Sequence, residues 1–268
     1  MRLDPTAEAA GVELIALDEV DSTNAQALRY GETGVRGPLW VTARTQTAGR
    51  GRRGRAWVSG LGNLYASLLL ADPAPLPRVA QCSFVAALAV RDAVCDAAPD
   101  LTARLSLKWP NDVLCDGRKL AGILVEGEGR EPLMVAIGIG INCRHHPSDA
   151  AYPATNLGAQ GAAVTAAAMF SALSRRMTQR LALWNGGDRF ADIRTAWLAH
   201  GPAPGAGLRV RLADGDVTGA FDTIDEEGNL VLTQADGIRR KITAGDVFPL
   251  AAAAAEAILD PALSRRSQ

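Results

Sequence analysis

Seven consecutive residues constrain this chain more than any others. Gly49-Arg50-Gly51-Arg52-Arg53-Gly54-Arg55 packs four arginines among three glycines, and Trp57 closes the run after Ala56. Glycine lets the backbone reach positive φ and come close to a ligand, and guanidinium groups supply charged, forked donors that fit carboxylate and phosphate. The run therefore reads as a loop built to bind anions. Taken alone it is equally a solvated basic turn or a nucleic-acid arm. It is not a P-loop, because GxxxxGK[ST] occurs nowhere in the chain.

Composition narrows the setting of that loop. With 268 residues, 48% of them hydrophobic, and a net charge of -1, the chain can bury one large core with a small second unit. The basic residues are offset by 29 acids and their densest cluster is one short loop, which argues against broad nucleic-acid binding. The apolar stretch from Ser83 to Val94 and the alanine run after Leu250 fall short of the roughly 18 consecutive apolar residues a membrane span needs. The N-terminus carries acids and a proline where a secretory signal has a basic patch and an apolar run, so a cytoplasmic location is expected. Cys82, Cys95, Cys115 and Cys143 lack CxxC or histidine spacing and read as buried thiols of a reducing compartment. Only three of the 28 basic residues are lysines, Lys108, Lys119 and Lys241, and two of these sit in motifs. That usage is what a need for a compact ammonium at both places would produce, and codon bias alone also accounts for the arginine excess.

Periodicity places the motifs. Val12 to Val20 reads as a strand, after which Ser22 caps a helix running toward Gly31. Leu39 to Ala43 is a second strand; Asn63 to Leu70, beyond the basic loop, is a third with an apolar face. An Ala/Val-rich helix is expected from about Arg78 to Ala97, and strands over Leu105–Lys108, Val113–Cys115, Lys119–Glu128 and Leu133–Asn142 complete a sheet. Helices are expected over Gln160–Trp184, where Met169, Leu173, Met177, Leu181 and Trp184 mark a core face, and over Phe190–His200. Past the linker-like Pro202–Gly207, strand runs separated by Asp214-Gly215, Glu227-Gly228-Asn229 and Asp236-Gly237 mark a small antiparallel barrel. A docked helix with a frayed tail is expected after Leu250. His145 and His146 have no third ligand in view and read as loop residues.

The motifs DSTN from Asp21, QTAGRGRRGRAW from Gln46, KWPNDV from Lys108, KLAGILVE from Lys119 and GIGIN from Gly138 together resemble the catalytic core of biotin-protein ligases, of the monofunctional type. The resemblance runs from about Leu17 to Asn142 and resumes over Gly207 to Leu250, which looks like the family's SH3-like barrel. It implies an α+β fold: a mixed, largely antiparallel sheet backed by helices over 1–203, and the barrel with its tail over 204–268. It also implies the reaction. Biotin and ATP give biotinyl-5'-AMP and pyrophosphate, with Mg²⁺; a lysine of a biotin carboxyl carrier domain then takes the biotin, a post-translational modification. No DNA and no membrane partner is expected, and a homodimer is compatible with the chain. About twenty residues precede Asp21, too few for the winged helix-turn-helix domain of the family's repressors. A lipoate or octanoate transferase of the same fold would carry a different glycine-rich motif.

Site roles follow from the same resemblance. Arg50, Gly51 and Arg52, with Gly49 and Arg55 in the same loop, are expected at biotin and its carboxylate, and Trp57 against the nucleotide. Ser22, Thr23 and Gln46 could bond the ureido ring, with Asn24 beside them; read as isolated residues, Ser22 and Thr23 are helix caps, and both roles are compatible. Asn111 and Asp112, after Lys108 and Pro110, are expected at a turn on the ATP and metal side, with Asp112 as the metal ligand; in isolation they are an ordinary Asn-Asp turn. Lys119, Arg52 and Asp112 are the expected catalytic groups. Gly122 leaves room for a flat ligand, and Asn142 is expected near the adenine.

Overall fold

The computed structural model describes residues 1–129, 131–148 and 152–250. Its elements in chain order are α1 (Pro5–Ala9), β1 (Glu13–Val20), α2 (Thr23–Glu32), β2 (Leu39–Gln46), β3 (Leu64–Ala71), α3 (Cys82–Ala97), β4 (Leu105–Lys108), β5 (Asp112–Cys115), β6 (Arg118–Glu128), β7 (Met134–Ile141), α4 (Ala166–Trp184), α5 (Phe190–Leu198), β8 (Gly207–Arg211), β9 (Asp216–Ile224), β10 (Leu230–Thr233), β11 (Arg239–Ile242) and β12 (Asp246–Pro249).

A seven-stranded sheet runs in the order β1-β2-β3-β7-β6-β5-β4. Only its β1–β2 pair is parallel; every other ladder is antiparallel. The sheet is mixed, as the sequence implies. Helix α2 covers one face, where Ala27 packs with Leu39, Val41, Leu69 and Met134. Helices α3 and α4 cover the other. This double cover explains β3, which alternation would make half-buried: Leu64 to Leu69 is buried without interruption, as is usual for a strand sandwiched on both faces.

Local chemistry sets the helix ends. The Ser22 hydroxyl accepts from Ala25 N at 3.4 Å and caps α2, and Thr165 caps α4 through Ala168 N at 3.2 Å. That cap corrects the expected start at Gln160: Gly161, at φ 87, ends a short 3₁₀ turn there instead. Likewise Leu76–Gln81 is a 3₁₀ turn, so α3 begins at Cys82 rather than Arg78. Helix α1 had no periodic signal; it is one turn started by Asp4, whose carboxylate accepts from Thr6 N at 2.9 Å, with Pro5 in the first position.

The C-terminal sheet is five antiparallel strands in the order β11-β10-β9-β8-β12. This small antiparallel unit is consistent with the SH3-like barrel that the sequence implies, and among the described residues no β11–β12 ladder closes it. Its open β11 edge is the basic Arg239-Arg240-Lys241, and charge on an edge opposes further pairing. The hydrophobic core passes without a break between the two sheets. Phe84 of α3 meets Phe190 and Trp197 of α5 edge-on, at centroid distances of 5.5 and 5.6 Å. The Trp109 indole donates to Gly228 O of the β9–β10 turn at 2.9 Å. The helix expected after Leu250 lies outside the described residues.

Candidate active site

The arginine-glycine segment folds as a tight hairpin. Arg50 and Ala56 form a bridge, Gly51 N donates to Arg55 O at 2.7 Å, and Trp57 N donates to Gly49 O at 2.9 Å. Two successive left-handed residues, Arg53 at φ 56 and Gly54 at φ 70, turn the tip. Gly49 is glycine for a different reason than ligand contact: a β-carbon there would lie 2.7 Å from Ser59 Oγ and 2.8 Å from both Gln46 Nε2 and Trp57 O.

The hairpin roofs a cavity of about 390 Å³ whose walls include every residue the sequence singled out except Gly49. That size suits a small organic ligand, for which pockets start at roughly 300 Å³. The floor is built from three glycines on two neighbouring strands. Gly122 pairs with Gly140 across β6–β7, and Gly138 lies opposite Leu124. The Trp57 indole rests on this floor: a β-carbon on Gly140 would sit 2.6 Å from its ring, and one on Gly122 would sit 3.0 Å away. Its Nε1 is buried without a hydrogen-bond partner in the protein, which leaves this donor to whatever occupies the cavity.

At one end the polar groups form a continuous network. Gln46 Oε1 accepts from Thr23 N at 2.8 Å and from Thr23 Oγ1 at 3.0 Å. Ser67, fully buried in β3, donates to Asn24 Oδ1 at 2.6 Å and lies 2.8 Å from Thr23 Oγ1. Asn24 Nδ2 in turn donates to Leu124 O and to Glu126 Oε2, at 3.1 and 2.8 Å. Ser22 is both the helix cap and a wall of the pocket.

At the other end Asp112 is wedged between two ammonium groups, with Lys108 Nζ 2.9 Å from Oδ2 and Lys119 Nζ 2.6 Å from Oδ1. Burial opposes its ionisation, but the positive charges of Lys119 and Lys108 outweigh that and hold the carboxyl below the usual carboxylate range. Asp112 was expected in a turn; it is the first residue of β5 and buried, and the turn belongs to Asn111, whose Nδ2 donates to Ile123 O at 2.7 Å. A β-bulge on β6 brings Lys119 into place. Gly122 pairs with Asp112 and Ala121 with Val113, but Lys119 then pairs with Leu114, so Leu120 is the extra residue and Lys119 turns to the face of Gly122.

Arg52 reaches down from the roof, its Nη1 3.3 Å from Asn111 Oδ1 and 3.2 Å from Gly245 O. Burial lowers its pKa, opposed by the charges of Asp246 and Asp112. Arg55 and Arg53 pair with Asp246 at 2.8 and 3.4 Å, and Arg50 pairs with Glu126 at 3.3 Å. Asn142 closes the far wall, its Nδ2 donating to Thr155 O at 3.0 Å. Asp246 and Phe248 of β12 and Tyr152 line the cavity with no signal in the sequence, the first two because they lie far along the chain from every motif and Tyr152 because it belongs to no motif. His145 and His146 lie in the loop after β7, where His146 Nδ1 is 2.7 Å from Asn156 Nδ2.

Comparison with known proteins agrees with this geometry. Residues 17–142 match the Biotin/lipoate A/B protein ligase family, and residues 207–248 match the Biotin protein ligase C terminal domain. A biotin–[acetyl-CoA-carboxylase] ligase of Paracoccus denitrificans is 41% identical over 87% of this chain and 98% of its own length. The bifunctional ligase/repressor BirA of Bacillus subtilis is 34% identical over 90% of this chain and 75% of that protein. Among solved structures, the biotin protein ligase of Aquifex aeolicus in complex with biotin and ATP superposes with a TM-score of 0.75 at 28% identity, covering 89% of this chain and 99% of that one. A motif-bearing catalytic sheet and a C-terminal sheet that each match a unit of one enzyme, and a relative matched almost end to end, leave a single assignment: the chain belongs to the biotin protein ligase family.

Proposed function

We propose that the Lys119–Asp112–Lys108 cluster, roofed by the arginine hairpin, is the adenylation centre of this ligase. The reaction activates biotin with ATP as biotinyl-5'-AMP and passes it to a lysine amine. Its first obstacle is electrostatic: a carboxylate about 4 Å from a phosphate repels it by roughly 4 kcal/mol at an effective dielectric near 20. The observation that carries the reading is that two ammonium groups share one buried carboxylate at the end of a glycine-floored pocket. One positive charge is left over, preorganised where the acyl and phosphoryl oxygens must meet.

In this reading Ser22, Thr23, Asn24 and Gln46 take the ureido ring, and the glycine floor and the Trp57 indole enclose the chain that follows it. Arg50, Gly51, Arg52, Arg55 and Lys119 face the carboxylate and the α-phosphate. The adenine lies toward Asn142, and Lys108 and Asn111 sit on the nucleotide side. Mg²⁺ is held mainly by phosphate oxygens in such sites, with one or two carboxylates. Asp112 fits that part as the buried carboxylate at this end of the pocket; bound there, the ion would supply further charge neutralisation on the phosphates. The hairpin over the pocket would keep water from the mixed anhydride.

The reading divides the chain into a catalytic unit over 1–203 and a C-terminal unit over 204–268, and takes a biotin carboxyl carrier domain as the acceptor, with no DNA partner. Among the described residues no helix is long and apolar enough to cross a membrane. The four cysteines are unpaired, three of them buried, which supports a reducing, cytoplasmic setting.

The test is pyrophosphate release by the purified protein with ATP and biotin, compared with lipoate and octanoate. Release with biotin alone is expected; release with lipoate or octanoate in its place would overturn the assignment.

A further inference from the structure

One row of cations runs out of the adenylation centre onto the C-terminal sheet. Lys108 Nζ stands 4.3 Å over the Tyr152 ring, and that ring lies 6.3 Å from Phe248. The Phe248 ring carries Arg209 and Arg211, each guanidinium carbon 5.1 Å from its centroid. Register explains the arrangement. Arg209 is opposite Phe248 and Arg211 opposite Asp246 across β8–β12, and residues directly opposite on an antiparallel pair stand on the same face. Asp246 and Phe248 line the pocket, so both arginines share the face of these two residues while standing outside the lining itself.

Charge on this face is not balanced. Arg53 and Arg55 share Asp246, and Arg209 and Arg211 share Asp216 at 3.4 and 3.8 Å. Four guanidiniums thus answer to two carboxylates. The pairs to Asp216 are long, with side-chain exposures of 40% for Arg209 and 52% for Arg211, so water screens them and they exchange partners easily. Stacking on an aromatic ring fixes a guanidinium plane while leaving its N–H edge free for an oxyanion.

We propose that Arg209 and Arg211 are pyrophosphate-binding residues, receiving the β- and γ-phosphates of ATP and holding the pyrophosphate as it leaves. The inference rests on the adenylation reading above. In that step the biotin carboxylate oxygen forms a bond to the α-phosphorus, the α-phosphorus to β-oxygen bond breaks, and pyrophosphate departs with the electron pair. The charge delivered to the leaving group is what a row of cations leading from Lys108 to the surface would stabilise. A single acceptor domain fits the row less well, because its inner end, Lys108, is only 13% exposed and held between Asp112 and the Tyr152 ring.

The experiment is pyrophosphate–ATP exchange in the full chain carrying R209A/R211A, with R209K/R211K as the charge-keeping variant. Biotin affinity, read by tryptophan fluorescence, checks that the variants are folded. Loss of two charge-assisted contacts should raise the KM for pyrophosphate on the order of tenfold or more in the alanine variant. The lysine variant should recover part of it, and biotin transfer from preformed biotinyl-5'-AMP should stay at the wild-type rate. Unchanged KM values for pyrophosphate and ATP would overturn the proposal. So would a loss confined to transfer, which would make this face a docking surface for the acceptor. A wild-type protein that releases no pyrophosphate would instead remove the adenylation reading itself.

Discussion

Lys119 Nζ and Asp112 Oδ1 lie 2.6 Å apart on neighbouring strands of the large sheet, with Lys108 on the other oxygen of the same carboxylate. The carboxylate is more than nine-tenths buried, so neither ammonium can be lost without leaving charge behind. The cluster fixes the position of a cation before any substrate arrives.

Lys119→Met should therefore abolish adenylation while keeping the aliphatic stem that packs over Gly122. Removing one preorganised contact of this kind costs on the order of 10² to 10³ in rate. The check is single-turnover pyrophosphate release by a variant whose thermal unfolding remains cooperative. Near-normal release would show that the charge of Lys119 is not used.

Arg52→Gly should uncouple the half-reactions. The side chain ties the hairpin to Asn111 and to Gly245 O, and its replacement by glycine removes both ties and adds backbone freedom. Adenylation persists through Lys119 and the remaining arginines, but the intermediate escapes. Biotin should then appear on lysines of a bystander protein separated from the enzyme by a dialysis membrane, well above the wild-type background. Equal, negligible labelling with active adenylation would show that Arg52 does not retain the intermediate.

Gly138→Ala tests the floor. Its new β-carbon would lie 2.3 Å from Asn24 Oδ1, so Asn24 must leave its contacts with Ser67 and Glu126. Overpacking of this kind typically costs about 1 to 3 kcal/mol, and the KM for biotin should rise with it. Gly127→Ala, on the same sheet but with its nearest neighbour 3.6 Å away, is the matched control and should be close to neutral. Isothermal titration with biotin for both variants separates the cases; equal affinities would mean that Asn24 does not shape the ring pocket.

Acid stability offers a test away from the pocket. The bond from Arg29, 2.6 Å away, lowers the Asp21 carboxyl from 3.8 to about 2, with burial opposing it. The folded-state value is depressed, so the pair stabilises the fold above pH 3.8, and that contribution fades as pH falls toward 2. Both side chains are nearly half exposed, which limits the effect to under about 1 kcal/mol. Asp21→Asn should lower the Tm slightly at neutral pH and converge with wild type near pH 2; a constant difference down to acid would remove the pair as its cause.

Sequence by itself determined the local devices of this protein. Ser22 announces a helix start because capping uses a side chain and an amide three residues away, whereas the cap of α4 at Thr165 emerged only from the structure, five residues past the expected start. The glycines and arginines of the hairpin announce an anion loop because φ freedom and charge are properties of single residues. Five motifs in order carried the family, and fourteen of the expected site residues besides Gly122 do stand around one cavity. What the tertiary structure decided is what depends on register and on distant chain. The Leu120 bulge turns Lys119 to the face of Gly122, whereas strict alternation would put residues three apart on opposite faces. Ser67 looked like one polar residue in an apolar strand until α2 brought Thr23 and Asn24 onto it. Asp246 and Phe248 join the site only because the C-terminal sheet packs against the catalytic one, and the contacts of Asp246 with Arg53 and Arg55 span more than 190 residues. No periodicity reports such a contact, because it is made by packing free energy between surfaces rather than by any neighbouring residue.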